Sequence, residues 1–232
     1  MVRSTGFLLV RKPGLARTCL SGLHPGAINL VRSHPPLFDL GKTCQLYIVT
    51  PPSFDLDAFA PRFEAALDRL KPACVQLRLP DADEAAWRTA VERLRPLAQD
   101  RDIAFLLSEQ AALAAELDCD GVHVGEGKLT ALAARAIVGP DRSVGVSCGA
   151  SRHAAMQAAE DGADYVSFGP FFPSPTKPHV TELVDIEILE IWSETTNVPC
   201  VAIGGVTAEN ARTLADAGAD FVAVVSGVWD AA

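Results

Sequence analysis

From Gln45 onward the chain alternates between two patterns. Short runs of Val, Ile and other apolar residues recur at QLYIVT (45–50), CVQLRL (74–79), IAFLLS (103–108), GVHV (121–124), SVGVSC (143–148), DYVSFG (164–169), CVAIGG (200–205) and FVAVVS (221–226). Eight short runs of this kind read as parallel strands buried on both faces. Stretches with helical periodicity fill the gaps. LDAFAPRFEAALDRL (56–70) follows the first strand and DEAAWRTAVERLRPLAQ (83–99) the second. TAENARTLADAG (207–218) follows the seventh, with Thr207 as N-cap, Glu209 in the first turn and Gly218 as the stop. Strict alternation with short connections predicts a parallel sheet with helices outside it.

A weak internal repeat narrows the topology. ELDCDGVHV, AAEDGADYVSFG and LADAGADFVAVV share one design: a helix ends, an Asp follows (Asp120, Asp164, Asp220), and an apolar strand begins. Like units at regular spacing favour a closed (β/α)8 TIM barrel over an open sheet. Such a barrel takes about 250 residues, so the 232 residues suit one barrel. The sequence runs only to Ala232, soon after the eighth strand, so the expected barrel lacks its eighth helix. An apolar gap is expected there, covered by the N-terminal extension or by another subunit unless the sequence is truncated.

Composition divides the chain in two. Residues 1–43 hold six Lys or Arg and one acid, Asp39, whereas residues 44–232 carry a formal charge of −14. The first part reads as a basic, poorly ordered extension and the second as the TIM-barrel domain. Phe7–Val10 is too brief for a signal-peptide core. An Arg-rich, acid-poor leader suits a transit peptide, while the scattered Gly and Pro favour a disordered extension or an upstream start. The net charge of −9 argues against nucleic acid as a partner. No apolar run approaches the ~20 residues of a membrane span. A small anionic ligand remains open, because a few local cations and backbone N–H groups suffice for one. The six cysteines form no C-x-x-C pair, and Cys74, Cys148 and Cys200 sit in strand-like runs. A reducing, cytoplasmic setting is expected. The number of subunits is left open, a homo-oligomer included.

Active sites of parallel barrels lie at the C-terminal ends of the strands, which directs attention to a few residues. Gly204-Gly205 end the seventh strand and Val225-Ser226-Gly227 the eighth, the common place for a barrel phosphate site. A tight turn is the plainer explanation of Gly-Gly. No G-x-x-x-x-G-K loop is present, which excludes that class of nucleotide triphosphatase. The loop FGPFFPSPTKP (168–178) is stiffened by proline and carries Thr176 and Lys177, both able to donate to an anion. The alternative for Lys177 is an exposed turn lysine. In VQLRLP (75–80), alternation puts Gln76 and Arg78 on one side of the second strand and Val75, Leu77 and Leu79 on the other. Polar groups facing the barrel interior are costly unless they bind something. Arg78 then meets either a ligand or a neighbouring acid. Ser108 and Glu109 end the third strand, His123 lies in the fourth and Ser147 ends the fifth. A lone strand histidine is more often packed and hydrogen-bonded than catalytic, and no Ser/His/Asp triad can be argued from these positions.

Taken in order, LYIVT, VQLR, DGVHVG, VGVSC, GADYVSFGPFFPSPTK, VAIGG and GADFVAVVS resemble the thiamine-phosphate synthase family and its thiazole tautomerase relatives, across residues 45–227. The resemblance implies a transferase that joins a hydroxymethylpyrimidine diphosphate to a thiazole phosphate and releases diphosphate. It implies Arg78, Ser147 and Lys177 as catalytic residues, acting with Gln76 on the pyrimidine diphosphate. Thr176, Gly205, Val225 and Ser226 would hold the thiazole phosphate, with Ser108, His123 and Gly204 also lining the substrate site. The sequence departs from the family pattern where Mg2+ should bind. Arg78-Leu79-Pro80 stands where the family has Arg-Glu-Lys, Ser108-Glu109 where it has Asn-Asp, and Lys128 where an acid is expected. Glu109 can still ligate Mg2+ through its carboxylate; Lys128 cannot. The open alternatives are a synthase with altered metal handling, a thiazole tautomerase-like enzyme, and a non-catalytic paralogue that binds phosphorylated ligands.

Overall fold

The computed structural model describes residues 37–125, 129–173 and 182–229. Eight parallel strands close into a barrel in sequence order: β1 (Gln45–Val49), β2 (Cys74–Leu77), β3 (Ala104–Ser108), β4 (Gly121–Val124), β5 (Ser143–Ser147), β6 (Tyr165–Phe168), β7 (Cys200–Ile203) and β8 (Phe221–Val224). The β1–β8 register, Gln45 opposite Phe221 and Ile48 opposite Val224, closes the ring. Outside it run α1 (Leu56–Leu70), α2 (Glu84–Gln99), α3 (Ala111–Glu116), α4 (Ala131–Val138), α5 (Arg152–Glu160), α6 (Glu187–Thr195), α7 (Ala211–Asp216) and α8 (Ser226–Trp229). No helix among the described residues is long and apolar enough to cross a membrane.

Local chemistry explains the two longest helices. Asp55 and Asp83 stand at their N-caps, accepting from Ala58 N at 2.9 Å and Ala86 N at 2.8 Å. Phe59, Phe63 and Leu67 on α1, and Trp87, Val91, Leu94 and Ala98 on α2, recur at helical spacing and are buried against the sheet. Strand residues divide by parity. Ile48, Val75, Leu77, Phe105 and Leu107 join the core between sheet and helices, whereas Tyr47, Val49, Cys74, Ala104, Leu106, Tyr165, Val201, Phe221 and Ala223 fill the barrel interior.

The repeated aspartates have one structural role. Asp120, Asp164 and Asp220 each precede an even strand and accept, through Oδ2, the backbone N–H of Phe105, Val144 and Cys200 at the start of the preceding odd strand, at 2.8, 2.7 and 2.9 Å. Each returns its own N–H to the carbonyl of that same residue, at 2.9, 2.8 and 3.1 Å. The αβ junction therefore recurs because it closes the N-terminal end of the sheet.

Three expectations are corrected. First, β8 is followed by a single turn of helix, α8, where longer helices follow the other strands. The expected apolar gap beside it is filled by Trp229, which is buried, lies 4.9 Å from Phe59 and 6.3 Å from Phe63 between ring centroids, and donates Nε1–H to Val49 O at 2.7 Å. Arg62 donates to the Trp229 carbonyl at 2.7 Å. Second, α7 begins at Ala211, not beside Thr207. The Asn210 side chain accepts from Thr207 N at 2.8 Å and donates to Gly205 O at 3.0 Å, which holds residues 207–210 in a turn and competes with helix formation. Third, packed chain begins before residue 44. Phe38 is buried in the core, and Asp39 pairs with Arg212 of α7 at 3.0 Å. Residues 1–36 lie outside the described residues.

Candidate active site

One pocket of 570 Å³ opens at the C-terminal ends of the strands. Gln76 and Arg78 reach it from β2 and the residue just beyond, Ser108 and Glu109 from β3, His123 from β4 and Ser147 from β5. Gly204, Gly205 and Val206 close it from the loop after β7, and Val225 and Ser226 from the end of β8. Leu79, Trp87, Phe172 and Ile203 supply apolar wall. Ten of the sequence candidates thus share one mouth. Thr176 and Lys177, and the departing Lys128, lie outside the described residues.

Arg78 is half-buried, and no acid among the described residues pairs with its guanidinium. Its backbone N–H is held by Thr50 Oγ1 at 3.0 Å, and Thr50 is fully buried. The main chain at this point is anchored while the cationic head faces the pocket.

Gln76 and His123 are 5% and 8% exposed, so their partners matter. Tyr47 Oη donates to Gln76 Oε1 at 2.8 Å. His123 lies between Tyr165 Oη, 3.1 Å from Nδ1, and Ser147 Oγ, 3.0 Å from Nε2. Burial pulls its pKa down from 6.5 to about 4, so the ring is neutral at pH 7. The histidine is packed and hydrogen-bonded, as strand histidines usually are, and also borders the pocket. Tyr47, Tyr165 and Ser167 belong to this polar group and escaped the sequence reading. Their signal was parity: Tyr165 and Ser167 alternate along β6 as Gln76 and Arg78 do along the second strand.

Glu109 stands in the left-handed region at φ 65°, and its Oε1 accepts from Gly125 N at 2.7 Å. It is the pocket's one carboxylate among the described residues, and no cluster of three or more His, Cys, Asp or Glu suited to a metal occurs among them.

The Gly-Gly turn has a packing reason of its own. Gly205 has φ +63°, and a Cβ there would lie 2.4 Å from Pro173 O and 2.5 Å from Phe172 O. Phe171 N and Phe172 N donate to Ile203 O at 3.3 Å and Gly204 O at 3.1 Å. The loop after β6 thus lies directly on the loop after β7, a contact only glycine allows. The N–H groups of Gly205 and Val206 donate to no acceptor among the described residues. Among the described residues no cysteine lines the pocket. Burial pushes the thiols of Cys44, Cys119 and Cys200 up to about 12, which removes them as nucleophiles at neutral pH.

A parallel barrel whose C-terminal mouth gathers a cation, hydroxyls and backbone donors has the build of a barrel enzyme. Comparison with known proteins gives the family. The family model described as thiamine monophosphate synthase matches residues 46–228. The thiamine-phosphate synthase of Rhodospirillum centenum is 57% identical over 187 residues, covering 81% of this chain and 90% of that protein. That of Hyphomonas neptunium is 43% identical over 191 residues, covering 80% and 86%. Among solved structures, the thiamine phosphate pyrophosphorylase of Pyrococcus furiosus superposes with a TM-score of 0.68 at 28% identity, covering 79% of this chain and 86% of that one. The chain belongs to the thiamine monophosphate synthase family and, with it, to the transferases of thiamine biosynthesis.

Proposed function

We propose that the chain joins a hydroxymethylpyrimidine diphosphate to a thiazole phosphate and releases diphosphate. The observation that carries this reading is convergence. Gln76, Arg78, Ser108, His123, Ser147, Gly204, Gly205, Val225 and Ser226 come from six strands and line one pocket. In the reaction the bond from the pyrimidine methylene carbon to the diphosphate oxygen breaks, and the electron pair leaves with the diphosphate. The pyrimidine cation then takes the lone pair of the thiazole nitrogen, forming the new C–N bond. Neither step requires a proton transfer.

Each residue's part follows from that charge movement. Arg78, with Lys177, holds the diphosphate as negative charge grows on it, the kind of fixed stabilisation that acts most strongly in a closed site, while Ser147 lines the same wall. Gln76 holds the pyrimidine. Gly205, Val225 and Ser226, with Thr176, hold the thiazole phosphate. His123 is neutral and does not oppose the developing cation. Leu79, Trp87, Phe172 and Ile203 keep out water that would otherwise capture it. Glu109 has one carboxylate oxygen engaged by Gly125 and one left over. A single carboxylate completed by diphosphate oxygens and water fits Mg2+. When bound there, the ion would neutralise part of the leaving group's charge. We place the protein in a reducing cytoplasm, in keeping with five described cysteines that form no disulfide.

The test is diphosphate release by purified protein given both substrates and Mg2+. Release that requires both substrates, with formation of the coupled product, is the expected result. No release with thiazole phosphate still bound rejects the synthase reading. Aromatisation of a thiazole carboxylate phosphate without diphosphate would mark a tautomerase instead. Normal turnover by Lys177→Ala would remove that residue from the diphosphate site.

A further inference from the structure

The barrel interior holds two tyrosines that the reaction above does not use. Tyr47 and Tyr165 are 2% and 3% exposed and do not line the pocket. Their hydroxyls nevertheless connect residues that do. Tyr47 Oη donates to Gln76 Oε1 at 2.8 Å and lies 3.1 Å from Tyr165 Oη. Tyr165 Oη lies 3.1 Å from His123 Nδ1, His123 Nε2 lies 3.0 Å from Ser147 Oγ, and Ser147 Oγ lies 3.3 Å from Ser167 Oγ. The row begins on Gln76 and ends on Ser147 and Ser167, all three in the pocket wall.

With the Gln76 oxygen facing Tyr47, counting hydrogens fixes the direction of every link. A phenol has one hydrogen. Tyr47 gives its hydrogen to Gln76, so the hydrogen between the two phenols belongs to Tyr165. Tyr165 must then accept from His123, which places the ring hydrogen on Nδ1. A neutral imidazole has only one N–H, so Nε2 accepts, and the hydroxyl hydrogen of Ser147 points at it. Breaking the order anywhere leaves two acceptors facing each other in a dry interior, which is costly. With this polarity the Gln76 amide keeps its NH2 group for the mouth. Turning that amide over would require every link to reverse with it.

We infer that Tyr165 is a positioning residue whose hydroxyl couples the orientation of the Gln76 amide to that of the Ser147 hydroxyl, so that the mouth offers a hydrogen-bond donor at Gln76 to a pyrimidine ring nitrogen. The substrate named here rests on the proposed function; the coupling does not. Two features of the packing belong to the same device. The Tyr165 ring stacks on His123 with centroids 5.6 Å apart and meets Tyr47 edge-on at 6.2 Å. Residue 145 on β5 is glycine, and a Cβ there would lie 2.0 Å from Tyr165 Cζ and 2.3 Å from Oη. The backbone has been cleared of a side chain where the phenol enters the row.

The test is Tyr165→Phe, which keeps the ring and its stack and removes the central link. The first readout is the imidazole nitrogen NMR spectrum of the full chain without ligand, with the His123 signal identified by its loss in His123→Gln. The wild type should show the Nδ1–H tautomer. In Tyr165→Phe the ring hydrogen should move to Nε2, facing Ser147. An Nε2–H wild type, or a tautomer unchanged in the variant, overturns the inference. Tyr47→Phe breaks the row one link away and should give the same tautomer change, which keeps the test available if Tyr165→Phe does not fold. The second readout is steady-state diphosphate release. KM for the pyrimidine diphosphate should rise about tenfold, while KM for the thiazole phosphate stays within about twofold. Equal rises in both would mark a merely structural role and overturn the inference. If the wild type releases no diphosphate, the proposed function falls, and the nitrogen spectrum alone still decides whether the row has the stated polarity.

Discussion

The two ends of the barrel are made from the same eight strands and treat their polar groups in opposite ways. At the N-terminal end, Asp120, Asp164 and Asp220 satisfy the amides of Phe105, Val144 and Cys200 near the starts of β3, β5 and β7 and are themselves held by the chain. Gln99 adds a donor to Asp120 at 2.8 Å, and Arg135 pairs with Asp164. At the C-terminal end, the Arg78 guanidinium and the amides of Gly205 and Val206 find no acceptor among the described residues. Backbone geometry is shared between the ends, so the contrast is one of side chains. One end closes the sheet on itself; the other leaves donors for something else to satisfy. Stability and chemistry are therefore separable in this chain.

The largest expected effect tests that separation at the mouth. Arg78→Ala should lower kcat/KM for diphosphate release about 10²–10³-fold and leave the thermal midpoint within about 2 °C. A midpoint loss as severe as the rate loss would mean that Arg78 holds the fold. His123 comes next, because it touches both roles. Its folded pKa of about 4 lies below the ordinary 6.5. The unfolded chain therefore takes up a proton below pH 6.5, and the folded protein does so only near pH 4. The stability linked to the neutral ring is complete above pH 6.5, is lost as pH falls toward 4 and changes no further below that. Between pH 7 and 4 the wild type should lose up to about 3 kcal/mol more than His123→Gln in denaturant titrations. Parallel curves for the two proteins would show that burial does not control this ring.

The smaller effects belong to the other end. Asp220→Ala orphans the Cys200 N–H and should cost about 1–3 kcal/mol of unfolding free energy, with kcat/KM unchanged. Damage to turnover there would break the contrast between the ends. Smallest of all, Lys71 caps α1 in the left-handed region at φ 46°, so Lys71→Gly should gain about 0.5 kcal/mol after the entropy of the unfolded chain is counted, again with unaltered kinetics.

All eight strands were legible because apolar runs of this length have few other uses. Their upper ends were not. The runs continue to Leu79, Gly205 and Ser226, while strand pairing stops at Leu77, Ile203 and Val224. Apolar pattern reports burial, and residues past the last ladder bond are still buried or lining the pocket. Gln76 and Arg78 could be placed inward by alternation, since a strand's period is fixed. Tyr47 and Tyr165 could not be recognised as polar partners. In sequence they look like ordinary strand aromatics, and only the approach of β1, β2, β4 and β6 brings their hydroxyls to Gln76 and His123. The Gly-Gly turn was read as a phosphate loop or a tight turn. The close passage of the preceding loop over Gly205, which also demands glycine, joins residues more than thirty apart and leaves no local mark.

The sequence by itself determined the order of strands and helices, the parity of the second strand and the recurrence of an aspartate before β4, β6 and β8. Those properties depend on spacing along one chain, and periodicity carries them. Tertiary structure alone decided which polar groups satisfy one another: that Arg78 meets no acid among the described residues, that His123 is neutral, and that Gln76 and Ser147 stand at two ends of one hydrogen-bonded row. Hydrogen bonding and desolvation depend on distances between residues remote in sequence, and those distances exist only once the barrel has closed.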